Sequence, residues 1–177
     1  DPDKVLGLVS KYFGPIPKPT RVLPRLYTEE PVQDGERQVT LRRVGNTQWL
    51  SDLYHTVPAA HPDSVAIEAA VGVMTVSPGG RLYKALVETK KAASVDDFVY
   101  NGHDPSFAMF LVKVPDEDPI DSAREIMLRT VEGVKSQPAT ADEIERVRAK
   151  TLQDIYDRLH DPQRRGIALQ QSIATGA

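Results

Sequence analysis

The sequence predicts an α+β fold, a two-layer sandwich of a mixed or antiparallel sheet with helices packed on one face. Three observations carry that prediction. Strand-like segments come in two pairs, one of period-2 alternation around Gly45-Asn46 and one joined through Asn101–Pro105. Segments with apolar residues at helical spacing follow each pair. The resulting order, β-β-α-α-β-β-α-α, groups strands into hairpins rather than alternating them with crossover helices.

The chain opens with a short amphipathic helix over Val5–Phe13, whose apolar positions are Val5, Leu6, Leu8, Val9 and Tyr12. Gly14-Pro15-Ile16-Pro17-Lys18-Pro19 ends it, because proline lacks the amide a helix needs and restricts the residue before it. From Pro15 to Arg37 no periodicity survives, which predicts an extended linker. Two alternating segments follow, Arg37–Val44 with Val39 and Leu41 on one face, and Thr47–Val57. A hairpin through Gly45-Asn46 is the expectation, with the only tryptophan, Trp49, in core or interface packing. Pro62 suits a first helical turn, and Asp63–Val76 is apolar nearly all round, which predicts a buried helix. Ser77-Pro78-Gly79-Gly80 breaks it before a short helix over Arg81–Glu88. A second hairpin joins Ala92–Tyr100 to Ser106–Val114. Phe107, Met109 and Leu111 oppose Ala108, Phe110 and Val112, so both faces of that strand are apolar and a central, doubly covered position is expected. Pro119 opens a helix with Ile120, Ala123, Met127, Val131 and Val134 in register. Thr140 and Glu143 form a capping-box pattern ahead of a helix striped by Ile144, Val147, Leu152, Ile155, Tyr156 and Leu159. Asp161-Pro162 interrupts it, and a last helix runs to about Ile173.

Of the 177 residues, 40% are hydrophobic and 27% charged, the balance of an ordinary globular domain. A net charge of −3 with basic residues dispersed among acids gives no reason to expect nucleic acid as a partner. No apolar run approaches the roughly 20 residues of a membrane-spanning helix. The absence of cysteine removes disulfides, thiolate nucleophiles and thiolate metal sites.

Catalytic candidates fail in turn. The four histidines, His55, His61, His103 and His160, include no pair at i, i+4 with an adjoining glutamate, the spacing that presents two imidazoles on one helical face. Capping, turn and surface roles account for them. Ser77-Pro78-Gly79-Gly80-Arg81 lacks the Gly-Lys-Ser/Thr ending of a phosphate loop and follows a helix rather than a strand. No G-x-S-x-G elbow is present. The acidic clusters Asp116-Glu117-Asp118 and Asp142-Glu143-Glu145 stand at predicted helix N-termini, where the macrodipole favours negative charge. The expected catalytic, metal and cofactor residues within this chain are therefore none.

Three stretches resemble zinc peptidases of the pitrilysin/insulinase family. Tyr12-Phe13-Gly14-Pro15-Ile16-Pro17 is similar to the F-G-x-I-P linker that closes the family's first domain. Val57-Pro58-Ala59-Ala60-His61-Pro62-Asp63 resembles the P-x-x-x-H-P-D segment leading into the next domain's helix. Gly79-Gly80-Arg81-Leu82-Tyr83-Lys84-Ala85-Leu86-Val87 resembles that domain's G-R-L-Y-x-x-L-R signature.

The resemblance implies a parent built of repeated α+β domains around a chamber, with zinc held upstream by an inverted H-x-x-E-H motif and a further glutamate. That motif is absent here. The family also draws an arginine and a tyrosine, seven residues apart, from another domain; Val87 and Ser94 occupy those positions in this chain and supply neither group. The implied organisation is residues 1–36 as the end of a preceding domain plus linker, and residues 37–177 as a non-catalytic domain truncated at its C-terminus. Its partners are then other domains of the parent and peptide substrate. The implied work is enclosing substrate for a zinc metalloendopeptidase, the alternative being an assembly role similar to respiratory-complex core subunits. Bacterial relatives favour the periplasm or cell envelope. Arg81 and Tyr83 are expected to position the short helix against the sheet.

Overall fold

The computed structural model describes residues 1–22 and 32–176; the centre of the expected linker, residues 23–31, lies outside them. The chain forms two compact units, Asp1–Arg42 and Arg43–Ala177. The first contains α1 (Pro2–Phe13), opened by the Asp1 carboxylate, which accepts from the amides of Asp3 and Lys4 at 3.0 and 3.3 Å. Every residue of α1 is exposed, the apolar Val5, Leu6, Tyr12 and Phe13 included.

The second unit is built on three strands, β1 (Thr47–Thr56), β2 (Ser94–Tyr100) and β3 (Ser106–Pro115), in the order β1-β3-β2. Both ladders are antiparallel. Leu50 faces Val112 from β1, and Val95 faces Val112 from β2. The expected hairpin of β2 and β3 is present. The one expected around Gly45-Asn46 is not: Arg37–Val44 forms no strand, and Val39 and Leu41 are 83% and 78% exposed. Alternation marks a segment able to be a strand, but only a neighbouring ladder makes it one, and β1 makes its ladder with β3.

One face of the sheet carries the helices. Ala108, Phe110, Val112 and Val114 of β3 are buried there with Val95 of β2. Over them pack Val71 and Met74 of α2 (Ser64–Thr75), Leu82 and Leu86 of the following turn, and Ala123 and Met127 of α3 (Ile120–Glu132). Tyr54 meets Phe110 edge-to-face, with ring centroids 6.2 Å apart. The Gln48 side chain donates to the carbonyls of Pro115 and Asp118 at 3.0 and 2.7 Å, tying the end of β3 to the entry of α3.

Two expected burials are only half met. In α2 the buried residues are Val71, Val73, Met74 and Thr75, while Val65 is 73% exposed, because only the C-terminal half of the helix reaches the layer. In α4 (Ala141–His160), opened by the predicted Thr140–Glu143 capping box, Val147 alone is buried. It lies where Gly72 of α2 lets α4 approach, and a β-carbon at Gly72 would stand 2.8 Å from Val147 Cγ1. Leu152, Ile155, Tyr156 and Leu159 extend past that crossing and remain exposed, as do Ile167 and Leu169 of α5 (Pro162–Thr175).

The short helix near residue 81 is a π-turn over Tyr83–Val87, closed by the Glu88 amide donating to the Tyr83 carbonyl at 3.1 Å. Its wider winding leaves Leu86 wholly buried. Ahead of it, Gly80 crosses the end of α2 so closely that a β-carbon would stand 2.5 Å from the Met74 carbonyl oxygen. Only glycine fits against backbone at that distance.

Two stability predictions follow from this packing. Leu86→Ala is expected to cost about 2–5 kcal/mol, the range for emptying a buried leucine site. Gly80→Ala is expected to cost about 1–3 kcal/mol through overpacking. Urea titration monitored by far-UV circular dichroism measures both, and a near-neutral Gly80→Ala would mean the α2 terminus can shift to make room.

Candidate functional site

The four histidines occupy separate places. His55 lies on β1, across from Phe107. His61 accepts at Nδ1 from the Asp63 amide at 3.1 Å. His103 sits in the β2–β3 loop, 3.4 Å from the Asp104 carboxylate. His160 ends α4, with Nδ1 2.7 Å from the Tyr156 carbonyl oxygen and its ring against the Tyr156 ring. Among the described residues no three His, Asp or Glu side chains gather closely enough to hold a metal ion. A zinc site needs three protein donors converging on one point, an arrangement the described residues do not form.

The glycine-rich segment ends in a structural clamp. Arg81 is the only residue of it with a charge, and its guanidinium donates from Nε and from Nη2 to the two carboxylate oxygens of Glu143, both at 2.8 Å. Nη1 and Nη2 also reach the carbonyls of Gln137 and Pro138 at 2.7 and 3.0 Å. Glu143 in turn accepts from the Thr140 amide at 2.8 Å. The expectation that Arg81 positions the short helix against the sheet is corrected: it fastens the π-turn to the α3–α4 loop and the start of α4. Both side chains are largely buried, 18% and 14% exposed, so the fork is shielded from water. The Arg81 hydrogen bonds, then the Thr140 amide, pull the Glu143 carboxyl down to about 2.

Val87 and Ser94 form no site. Val87 is half-buried against the core. Ser94 opens β2, and its hydroxyl donates to the Asp96 carboxylate at 3.2 Å.

The sheet's other face is the feature that sequence reasoning missed. Register puts Trp49, Lys113 and Ser94 in one row, Ser51, Leu111 and Asp96 in the next, then Leu53, Met109 and Phe98, then His55, Phe107 and Tyr100. No helix of the larger unit covers these rows. Trp49 is 61% exposed, Leu53 51%, Phe98 48% and Tyr100 51%. Tyr100 stacks on Phe107 at 5.5 Å between centroids, and Phe98 tilts against the same ring at 5.9 Å. The Lys113 ammonium lies over the Trp49 indole, 5.9 Å from its centroid. Trp49 is thus surface rather than core, and β3 is covered on one face rather than two. The signal was present in β3, whose two apolar sets exceed what a single layer of helices can cover.

The Arg81–Glu143 pair generates a signed prediction. Because folding lowers the Glu143 pKa from 4.5 to about 2, its contribution is whole above pH 4.5 and is lost as pH falls from there toward 2. Arg81→Ala is expected to cost about 2–4 kcal/mol near neutrality. It should also flatten stability across that acidic window, apart from what Glu132 contributes through its own lowered pKa beside Lys135. Arg81→Lys should recover only part of the loss, since an ammonium cannot reproduce the bidentate fork. Equal acid profiles for the wild type and Arg81→Ala would refute the assignment.

Comparison with known proteins agrees with this geometry. Residues 1–151 match the peptidase M16 inactive domain. A zinc protease, PqqE, of Helicobacter pylori is 26% identical over 161 residues, which are 88% of this chain and 36% of that protein. The chain therefore spans about a third of that relative's length. The inactive peptidase domain of a protein assigned as a zinc protease in Bordetella parapertussis superposes with a TM-score of 0.69 at 38% identity, over 78% of this chain and 75% of that one. A Helicobacter pylori protease shares the fold at a TM-score of 0.85 and 19% identity, over 99% of this chain and 43% of that one. A chain of complex III from Candida albicans shares it at 0.64 and 12%, over 73% and 33%. With a match of that extent, the chain belongs to the peptidase M16 inactive-domain family.

Proposed function

We propose that this chain serves as a non-catalytic, substrate-enclosing domain of a zinc metalloendopeptidase whose zinc is held by a different domain. The observation that carries the reading is the open sheet face, an apolar and aromatic surface on a member of a peptidase family. A wall that contacts substrate needs such a surface, whereas a domain serving only to assemble subunits needs none facing a chamber. In this reading α1 and the linker belong to the junction with the zinc domain. An amphipathic helix of this length is marginal in water and gains its stability from burial, which a neighbouring domain would supply.

The assembly reading draws on the complex III chain, whose likeness extends to the fold. Membership of the zinc proteases, and a Bordetella relative at 38% identity within them, support the peptidase reading.

Assays of casein hydrolysis distinguish the two. This chain alone, with zinc added, should release no peptides. The full-length gene product should encode H-x-x-E-H upstream and cleave casein, with a chelator abolishing cleavage and zinc restoring it. A zinc-loaded full-length protein that cleaves nothing would transfer the assignment to assembly.

A further inference from the structure

We infer that the open face of the sheet is a binding surface for extended polypeptide, and that it selects aliphatic and aromatic side chains at alternate positions. The inference rests on the proposed substrate-enclosing role and assigns its contact residues. The surface consists of Trp49, Leu53, Met109, Phe98, Phe107 and Tyr100, on all three strands.

Its size indicates the occupant. Four rows of side chains, about 6.8 Å apart along the strands, cover about 20 Å; three strands about 4.8 Å apart cover about 10–15 Å with their side chains. The patch is on the order of 300 Å², while a stable protein–protein interface takes about 800 Å² from each partner. A second copy of this chain, or another folded protein, would gain too little from it. An extended segment spans the same 20 Å in about six residues and presents alternate side chains to one side, matching the spacing of the rows.

Charge indicates the same occupant. Asp96 and Lys113 lie in the two rows at one end, of opposite sign, and Lys113 is already held over Trp49. The Leu53–Met109–Phe98 row carries no charge. Burying a charged side chain against it would cost desolvation with no partner, whereas an apolar side chain meets fixed aromatic faces. The Tyr100–Phe107 stack and the Phe98–Phe107 contact hold those rings in place before anything binds, which lowers the ordering cost of association. A soluble monomer rarely leaves four large apolar side chains about half exposed on the two strands flanking a central one without use for them.

Trp49 is the sole tryptophan, so its emission reports on this face alone. The test titrates the 177-residue chain with a capped decapeptide alternating Phe or Leu with Ser, and with its all-Ser counterpart. The apolar peptide should shift Trp49 emission to the blue and saturate; the all-Ser peptide should do neither. Phe98→Ser and, separately, Leu53→Ser should weaken binding at least tenfold, and Leu152→Ser on α4 should leave it unchanged. Circular dichroism identifies any variant that fails to fold, and the other then decides. No shift, an equal response to both peptides, or full affinity in the folded variants overturns the inference. The same substitutions in the full-length protein separate the two proposals. Unchanged casein cleavage with lost peptide binding in the isolated chain ends the substrate-contact assignment only. A full-length protein inactive from the start ends the peptidase reading and leaves the binding surface standing.

Discussion

β3 carries both ladders of the sheet, and the larger unit is arranged around that fact. Ten residues of one strand pair with β1 on one side, and seven of them, Phe107–Lys113, pair with β2 on the other. Period-2 geometry then divides β3 into two sets. Ala108, Phe110, Val112 and Val114 go under α2, α3 and the π-turn; Phe107, Met109, Leu111 and Lys113 go to the opposite side. A slip of one residue in either ladder would exchange those sets and strip the core of Val112 and Val114, both wholly buried. The register is fixed by the helix layer, and through it the composition of the open face is fixed too.

A polar constraint holds the helix layer itself. Arg81 joins the π-turn to a stretch 56 to 62 residues further on, through the carbonyls of Gln137 and Pro138 and through Glu143 in the first turn of α4. Glu143 has two tasks, since it also closes the capping box on Thr140. Hydrophobic contact brings α4 to α2 at Val147 and Gly72 without fixing its rotation, and the directional fork supplies that rotation. The arginine two residues before Tyr83 thus serves architecture.

Local signals were legible wherever one element determines its own fate. The Thr140–Glu143 box, the proline-opened α3 and the β2–β3 hairpin all stand where alternation, caps and turn residues put them. The α+β class followed from the same signals. Signals that depend on a second element were not legible. Arg37–Val44 alternates as a strand does, yet pairing is a property of two segments. The apolar circumference of α2 and the stripe of α4 state what could be buried, not how far the sheet reaches. The site suffered from the same limit: motif spacing served to rule out metal and nucleophile chemistry, but the open face arises from register across three strands, and no single segment contains it.

The π-turn also decides what position 87 can present. Its wide winding seats Leu86 fully in the core and leaves the next residue, Val87, packed at the margin of the same apolar layer. An arginine placed at that position would lay its aliphatic stem along the margin of the core. Turning that position fully outward would require rephasing the backbone by one residue, with Leu86 rotated out of its socket. What position 87 can present is thus set by helical phase as well as by side-chain identity.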